Sequence, residues 1–160
     1  MERSFHFSFD VCNSMAELNE ADAALLKMAR EVSENAYAPY SNFQVGAAAI
    51  LANGQVVTGT NQENASYPVG ICSERVLLST VSSLFPEMAI STLAISYNNK
   101  NGNSNKPISP CGMCRQALVE YQVRTKKSIR IILSGMEGEV FIINDAAQLL
   151  PLSFGGIDLK

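Results

Sequence analysis

The sequence predicts an α/β fold in which helices cover a mixed five-stranded sheet, giving three layers. Helical and strand-like apolar patterns follow one another along the 160 residues in the order helix, two strands, helix, strand, helix, two strands, helix. The last two strands, Ile129 to Leu133 and Val140 to Ile143, are joined by a link too short for a parallel crossover, so they should pair antiparallel. A chain of this length fits one domain, and we expect residues 1–160 to form it.

The first third of the chain is predicted to contain a helix and a hairpin. Asn19 is a candidate N-cap, and a helical apolar stripe continues from there until Pro39 stops it. Strands at 45–51 and 55–60 flank Asn53-Gly54, a dipeptide that accepts the positive φ angles of a tight turn. The alternating segment from Phe5 to Val11 is a candidate for an extra edge strand.

Two more helices are predicted after polar loops. The first begins near Cys72, and the second runs from about Cys111 to Val123, with a strand at 92–97 between them. Asp145 should cap a last short helix that Pro151 ends.

Composition and charge disfavour two classes of function. The formal net charge of −3 argues against a nucleic-acid binder, whose affinity comes largely from clustered Lys and Arg. The one basic run is interpreted as a solvated loop and consists of Arg124, Lys126, Lys127 and Arg130. The apolar runs are too short to span a bilayer. No Gly-rich phosphate loop is present, so we expect a small-molecule substrate without a phosphate, and neither nucleic acid nor membrane as a partner.

Cysteine usage indicates the compartment. Residues 1–12 alternate apolar with polar positions and lack the apolar block of a signal peptide. The four cysteines are therefore expected to be thiols in a reducing compartment, and we predict a cytoplasmic protein. His6 and Cys12 lie outside the motifs and are assigned no functional role.

Three cysteines form the candidate metal site. Cys72, Cys111 and Cys114 lie at, or just inside, the predicted starts of two helices, where the helix dipole favours the thiolate that binds metal. Three thiolates would hold one Zn²⁺ and leave a tetrahedral position open, as in catalytic sites. Glu74 would then lie over the metal. A structural zinc knot, which would need a fourth ligand, and unrelated buried thiols remain as alternatives.

Cys-x-Glu followed by Pro-Cys-x-x-Cys is the signature of zinc deaminases. With residues 37–47 (YAPYSNFQVGA), 61–68 (NQENASYP) and 150–155 (LPLSFG), it resembles the small, homotetrameric cytidine deaminases. The resemblance covers residues from about 19 to 159 and leaves out an N-terminal extension, residues 1–18. The chain departs from the family pattern at Ser73, where the family usually has Ala, and at Ser109, where it usually has Pro.

The resemblance implies a fold and an activity. The fold would be the deaminase sandwich, and the activity would be hydrolysis of cytidine and deoxycytidine to uridine, deoxyuridine and ammonia, in pyrimidine salvage. Zinc would make hydroxide available near neutral pH, and Glu74 would shuttle the protons. A deaminase of another small cytosine-containing compound, such as blasticidin S, is the alternative, and a polynucleotide deaminase would need a basic groove.

The resemblance also implies roles for residues around the metal. Phe43 would lie against the pyrimidine, while Asn61 and Glu63 would take the ribose hydroxyls. In a homotetramer, Phe154 would pack on the base bound by another subunit. Zinc with three thiolates carries a charge of −1, so hydrogen bonds from Arg75 and Arg115 to the ligand sulfurs would restore its Lewis acidity.

Overall fold

The computed structural model describes the backbone of residues 1–159 and the side chains of residues 1–156, 158 and 159. Its strands are β1 Asp10–Cys12, β2 Phe43–Leu51, β3 Val56–Thr60, β4 Ile90–Asn99, β5 Arg130–Ser134 and β6 Val140–Ile143. Its α-helices are α1 Glu20–Val32, α2 Ser73–Leu84 and α3 Gly112–Thr125. Short 3₁₀ helices lie at Met15–Glu17, Ser33–Asn35, Tyr67–Val69, Ala146–Leu149 and Gly156–Leu159. Within this described part of the chain, no helix is both long and apolar enough to cross a membrane.

All the strands join one mixed sheet in the order β1-β6-β5-β4-β2-β3. Only β4 and β5 pair in parallel, and the predicted antiparallel pairing of the last two strands is confirmed. Because β2 is antiparallel to both β3 and β4, strands β3, β4 and β5 all run in one direction. The helices that follow β3 and β4 therefore begin at the same edge of the sheet.

The sheet has six strands in the described residues, where five were predicted. The sixth is β1, which pairs with β6 from Asp10 opposite Ile142 to Cys12 opposite Val140. The alternating segment thus supplies an edge strand, but only its last residues form the ladder. A three-residue strand is too short to stand out as a pattern, which explains the wrong count.

Two other local predictions need correction. The first helix becomes a 3₁₀ turn after Val32 and ends at Asn35, before Pro39, although the Asn19 cap is confirmed by its bond from Asp22 N. The hairpin at Asn53-Gly54 forms, but of these two residues only Gly54 has a positive φ, at 84°. A three-residue loop closed by Leu51 and Gln55 needs the left-handed conformation at one position.

Helices cover both faces of the sheet, which confirms the three-layer α/β class. Helix α1 packs Leu25, Leu26 and Ala29 against one face, and α2 and α3 pack on the other. The α2 layer lies very close to the sheet at Gly59, where an added Cβ would lie 2.6 Å from Ser73 O. Glycine at this position therefore lets the start of α2 approach the sheet.

A two-point ion pair joins α1 to β5. Arg130 donates from Nη1 and Nη2 to the two carboxylate oxygens of Asp22, each at 2.7 Å, and Asn19 Nδ2 also donates to Asp22. The hydrogen bonds from Arg130 hold the pKa of Asp22 below its ordinary value. The basic run was predicted to be a solvated loop. This is wrong for Arg130, which lies in β5 and pairs with Asp22 of α1.

We predict that Asp22→Ala lowers the free energy of unfolding by about 1.5–3 kcal/mol, because it leaves a half-buried guanidinium without its charged acceptor. The depressed pKa means that the contribution is complete above the unfolded-state pKa of about 3.9 and is lost as pH falls through the lower folded-state pKa. Urea unfolding at pH 7 and at pH 3 measures both effects.

The control is Glu31→Ala on the same helix, which removes an exposed partner of Lys27. It should change stability by less than about 0.5 kcal/mol. A loss from Asp22→Ala that was no larger than this control, or that did not shrink at low pH, would contradict the assignment.

Candidate active site

The structure brings the three predicted cysteines together at two helix starts. Cys72 is the N-cap of α2, Cys111 is the N-cap of α3, and Cys114 lies in the first turn of α3. The Sγ atoms of Cys72 and Cys111 are 3.7 Å apart, and those of Cys111 and Cys114 are 3.4 Å apart. All three sulfurs lie within 4.8 Å of one another.

This sulfur set fits one zinc ion. Four ligands at the usual Zn–S distance of ~2.3 Å would place tetrahedral sulfurs about 3.8 Å apart. The separations of 3.4 and 3.7 Å are close to that value. Three sulfurs occupy three corners, so one corner is left for a water or a substrate atom.

The thiols of Cys72 and Cys114 shift each other's pKa. The hydrogen bond from Cys114, assisted by the positive charge of Arg75, lowers the pKa of Cys72 to about 6. The same hydrogen bond, together with burial, raises the pKa of Cys114 well above its ordinary value. Metal ligation requires thiolates, so a metal that bound these cysteines would displace their protons.

Glu74 lies in the first turn of α2 and is only 5% exposed. Its carboxylate lines the same cavity as Cys72 and Cys111. Ser73, which is fully buried, donates its hydroxyl to Glu74 Oε2 at 3.0 Å. The first departure from the family pattern therefore adds a hydrogen bond to the predicted proton shuttle.

A cavity of about 320 Å³ opens over the thiols. Val45 and Ile95 of the sheet, residues 61–63 after β3, and the segment Ile108–Ser109 form its walls. A second cavity of about 360 Å³ adjoins it, because Glu63, Tyr67 and Gly70 line both. The first cavity alone is at the lower end of the range for small-molecule sites.

The two residues predicted to bind ribose hydroxyls line this cavity and already make bonds within the chain. Asn61 Oδ1 accepts from Val45 N at 2.7 Å, and Asn61 Nδ2 donates to Phe43 O at 2.9 Å. Glu63 accepts from Tyr40 N at 2.9 Å and from the hydroxyl of Ser41. The hydrogen bond from Ser41 lowers the pKa of Glu63, so the carboxylate is ionised.

Ser41 is a site residue that sequence reasoning missed. Its hydroxyl donates to Glu63 and accepts from Phe43 N at 3.0 Å, so it joins two of the predicted substrate contacts. The available signal was its place inside the segment 37–47, which supported the resemblance. Nothing in that segment's pattern distinguished its hydroxyl from an exposed turn residue.

Phe43 lies beside the cavity but is not part of its lining. Its ring stacks on Tyr97 at 4.8 Å between centroids, with 14° between the planes. Because side chains alternate along β2, Phe43 shares a face with Val45, which does line the cavity. The predicted contact with the pyrimidine remains a prediction.

The two arginines differ in their surroundings. Arg75 is half-buried beside Cys72, and its predicted bond to sulfur stays a prediction. Arg115 instead donates to oxygens, namely Pro110 O at 2.8 Å, Leu149 O at 3.1 Å and Ser109 Oγ at 3.1 Å. The second departure from the family pattern, Ser109, provides one of these acceptors, and the predicted bond from Arg115 to a ligand sulfur stays a prediction.

Phe154 is a predicted site residue that does not line the cavity over the thiols. Its side chain is 58% exposed, and its carbonyl oxygen accepts from Gln116 Nε2 at 2.9 Å. The bond joins Phe154 to α3. The aromatic ring therefore faces solvent in the single chain.

The family model described as cytidine and deoxycytidylate deaminase zinc-binding region matches residues 19–129. A cytidine deaminase of Halalkalibacterium halodurans is 33% identical over 136 residues, which cover 85% of this chain and 96% of that protein. One from Sporosarcina psychrophila is 30% identical over 136 residues, which cover 85% and 93%.

Solved structures agree with this likeness. The crystal structure of cytidine deaminase from Burkholderia pseudomallei superposes with a TM-score of 0.72 at 36% identity, over 86% of this chain and all of that one. The cytidine deaminase from Mycobacterium leprae gives 0.63 at 33% identity, over 83% and 98%. With the three sulfurs, the buried glutamate and the mixed sheet, these matches identify the chain as a member of the cytidine deaminase family of zinc-binding hydrolases.

Proposed function

We propose that this protein hydrolyses cytidine and deoxycytidine to uridine and deoxyuridine, with release of ammonia, and that it serves pyrimidine salvage. The observation that carries the proposal is the position of Glu74, buried in one cavity with two of three convergent thiols. Its named relatives are cytidine deaminases, which favours cytidine over blasticidin S or a similar compound.

The chain's own contribution to the chemistry is proton transfer by Glu74. Zinc held by Cys72, Cys111 and Cys114 would lower the pKa of a bound water, so that hydroxide would be available near neutral pH. Glu74 takes the proton that the water gives up and delivers it to N3 of the ring as the water oxygen bonds to C4. It then transfers the proton of the new C4 hydroxyl to the amino group, the C4–N bond breaks, and ammonia leaves. One carboxylate serves as base and then as acid because these transfers follow one another. The Ser73 hydroxyl orients the carboxylate for both steps.

The ribose end of the substrate should lie toward Glu63. This residue lines both adjoining cavities, and its lowered pKa keeps it ionised. A carboxylate accepts hydrogen bonds from sugar hydroxyls and repels a phosphate. The proposed substrate is therefore the nucleoside, with Asn61 as the second polar contact and Phe43 as the aromatic one.

We propose further that residues 1–160 act as one deaminase domain within a cytoplasmic homotetramer. The four cysteines are free thiols, as a reducing compartment maintains them. Leu152 and Phe154 have exposed apolar side chains, and a neighbouring chain would cover them.

The first prediction is one zinc per chain, bound by Cys72, Cys111 and Cys114. Cys72→Ser should lose most of the metal, because a neutral hydroxyl is a poor replacement for a thiolate. Cys12→Ser should keep all of it, and so should Arg75→Gln, since we propose that Arg75 acts on a ligand sulfur rather than on the metal. Metal analysis of the purified variants decides, and full zinc in Cys72→Ser would refute the ligand assignment.

The second prediction concerns Glu74→Gln, which keeps the shape of the side chain and removes its ability to shuttle protons. Turnover should fall by at least ~10²–10⁴-fold, while zinc content and thermal stability stay near those of the unmodified protein. Loss of cytidine absorbance gives the rate. A nearly unchanged rate would remove Glu74 from the mechanism.

The third prediction is that Phe154 acts on a neighbouring subunit's active site. Cys72→Ser and Phe154→Ala should each be nearly inactive when refolded alone, since one lacks zinc and the other lacks the aromatic contact. Refolded together, they should regain activity, because mixed tetramers pair an intact zinc site with an intact phenylalanine. Mixed assembly without any recovery would place Phe154 outside a shared site.

A further inference from the structure

The amino-terminal arm, defined here as residues 5–12, has no part in the proposed deamination chemistry. It precedes residue 19, where the family match begins. Its last residues form β1 and pair with β6 at the edge of the sheet. The arm nevertheless lies close to the active site, because its aromatic side chains pack beside the segment that precedes Cys111.

Phe7 and Phe9 lie on the face of the sheet that carries α2 and α3. Val11 pairs with Phe141 in the β1–β6 register, and Phe141 pairs with Leu133 of the core beneath α3. Phe9 packs on Phe141 with 4.8 Å between ring centroids, and Phe7 stacks on Phe9 at 5.5 Å. These ring contacts therefore put Phe7 and Phe9 on the same side of the sheet as Phe141 and the two helices.

Phe7 and Phe9 face the segment that leads to the metal ligands. Together with Pro107, Ile108 and Ser109, and with Phe141 and other apolar side chains, they line a cavity of about 210 Å³. Ile108 and Ser109 also line the catalytic cavity. The segment 107–109 is thus a wall with the arm on one side and the catalytic cavity on the other.

This wall has little regular structure to fix it. Residues 105–111 belong to neither helix nor strand, and Cys111 follows the wall after one residue. On its helix side, Arg115 holds Ser109 Oγ and Pro110 O. On its outer side, the arm provides aromatic packing, so the wall is held between the two.

We propose that Phe7 and Phe9 are positioning residues that hold the segment 107–109, and through it Cys111, in the geometry that binds the metal. The inference rests on the proposed ligand assignment. Both side chains are partly exposed, at 44% and 41%, so their removal should loosen the wall more than it destabilises the whole fold.

The test is the rate at which excess chelator removes zinc from the folded, zinc-loaded protein at neutral pH. The double variant Phe7→Ala/Phe9→Ala should release zinc at least about fivefold faster than the unmodified chain. The reason is that Cys111 should dissociate from the metal more often when the segment 107–109 is less constrained. Phe9→Leu, which keeps most of the apolar volume, should release zinc at an intermediate rate and provides a comparison with less loss of packing.

Two controls separate positioning from general stability. Phe5→Ala removes the same side chain from the same arm at a position 56% exposed and outside the cavity wall formed by the described residues, and it should stay within twofold of the unmodified rate. Asp22→Ala destabilises the opposite face of the sheet, so its zinc release should also stay near the unmodified rate when the assay temperature is set equally far below each variant's Tm.

Equal release rates for Phe5→Ala and the double variant would overturn the inference. So would a double variant that releases zinc no faster than Asp22→Ala in that matched assay. An unmodified chain that held no zinc would instead refute the ligand assignment and this inference with it, which distinguishes the two failures.

Discussion

The meeting of two helix starts at one edge of the sheet is the constraint on which the site depends. Strands β3, β4 and β5 run in one direction, so α2 and α3, which follow β3 and β4, begin side by side. Ligand sites in α/β sheets form at this carboxyl-terminal edge. Gly59 lets the start of α2 lie against the sheet, which brings Cys72 within 3.7 Å of Cys111. A bulkier residue there would displace a ligand and Glu74 together.

The substrate side of the cavity depends on a different interaction, a set of hydrogen bonds among the residues proposed to bind the nucleoside. Asn61 holds the backbone of Phe43 and Val45, and Ser41 joins Glu63 to Phe43. These contacts fix Ser41 in the loop before β2 and the first residues of β2, so less conformational entropy is lost when a substrate binds. The polar atoms of Asn61 and Glu63 therefore act as supports and remain near the cavity as acceptors.

Sequence reasoning was most successful where a feature is local or strongly patterned. The Asn19 cap, the 53–54 hairpin and the convergence of three thiols all depend on short-range geometry or on two helix starts of known type. It was least successful where the partner is distant along the chain. Arg130 finds Asp22 across 108 residues, and Arg115 finds Leu149 across 34. No spacing rule predicts such partners, because the fold decides which acceptors lie nearest.

The position of Arg115 changes how the charge of the metal site must be balanced. Zinc with three thiolates would carry −1, and each helix N-terminus contributes about +0.5, so α2 and α3 together offset it to roughly zero. Glu74, whose charge raises the pKa of Cys72, adds negative charge to the site, and Arg75, whose charge lowers that pKa, opposes it. Arg115 holds Ser109 and Pro110, which precede the ligand Cys111. We propose on this basis that Arg75 balances the charge of the metal site and that Arg115 helps to position Cys111.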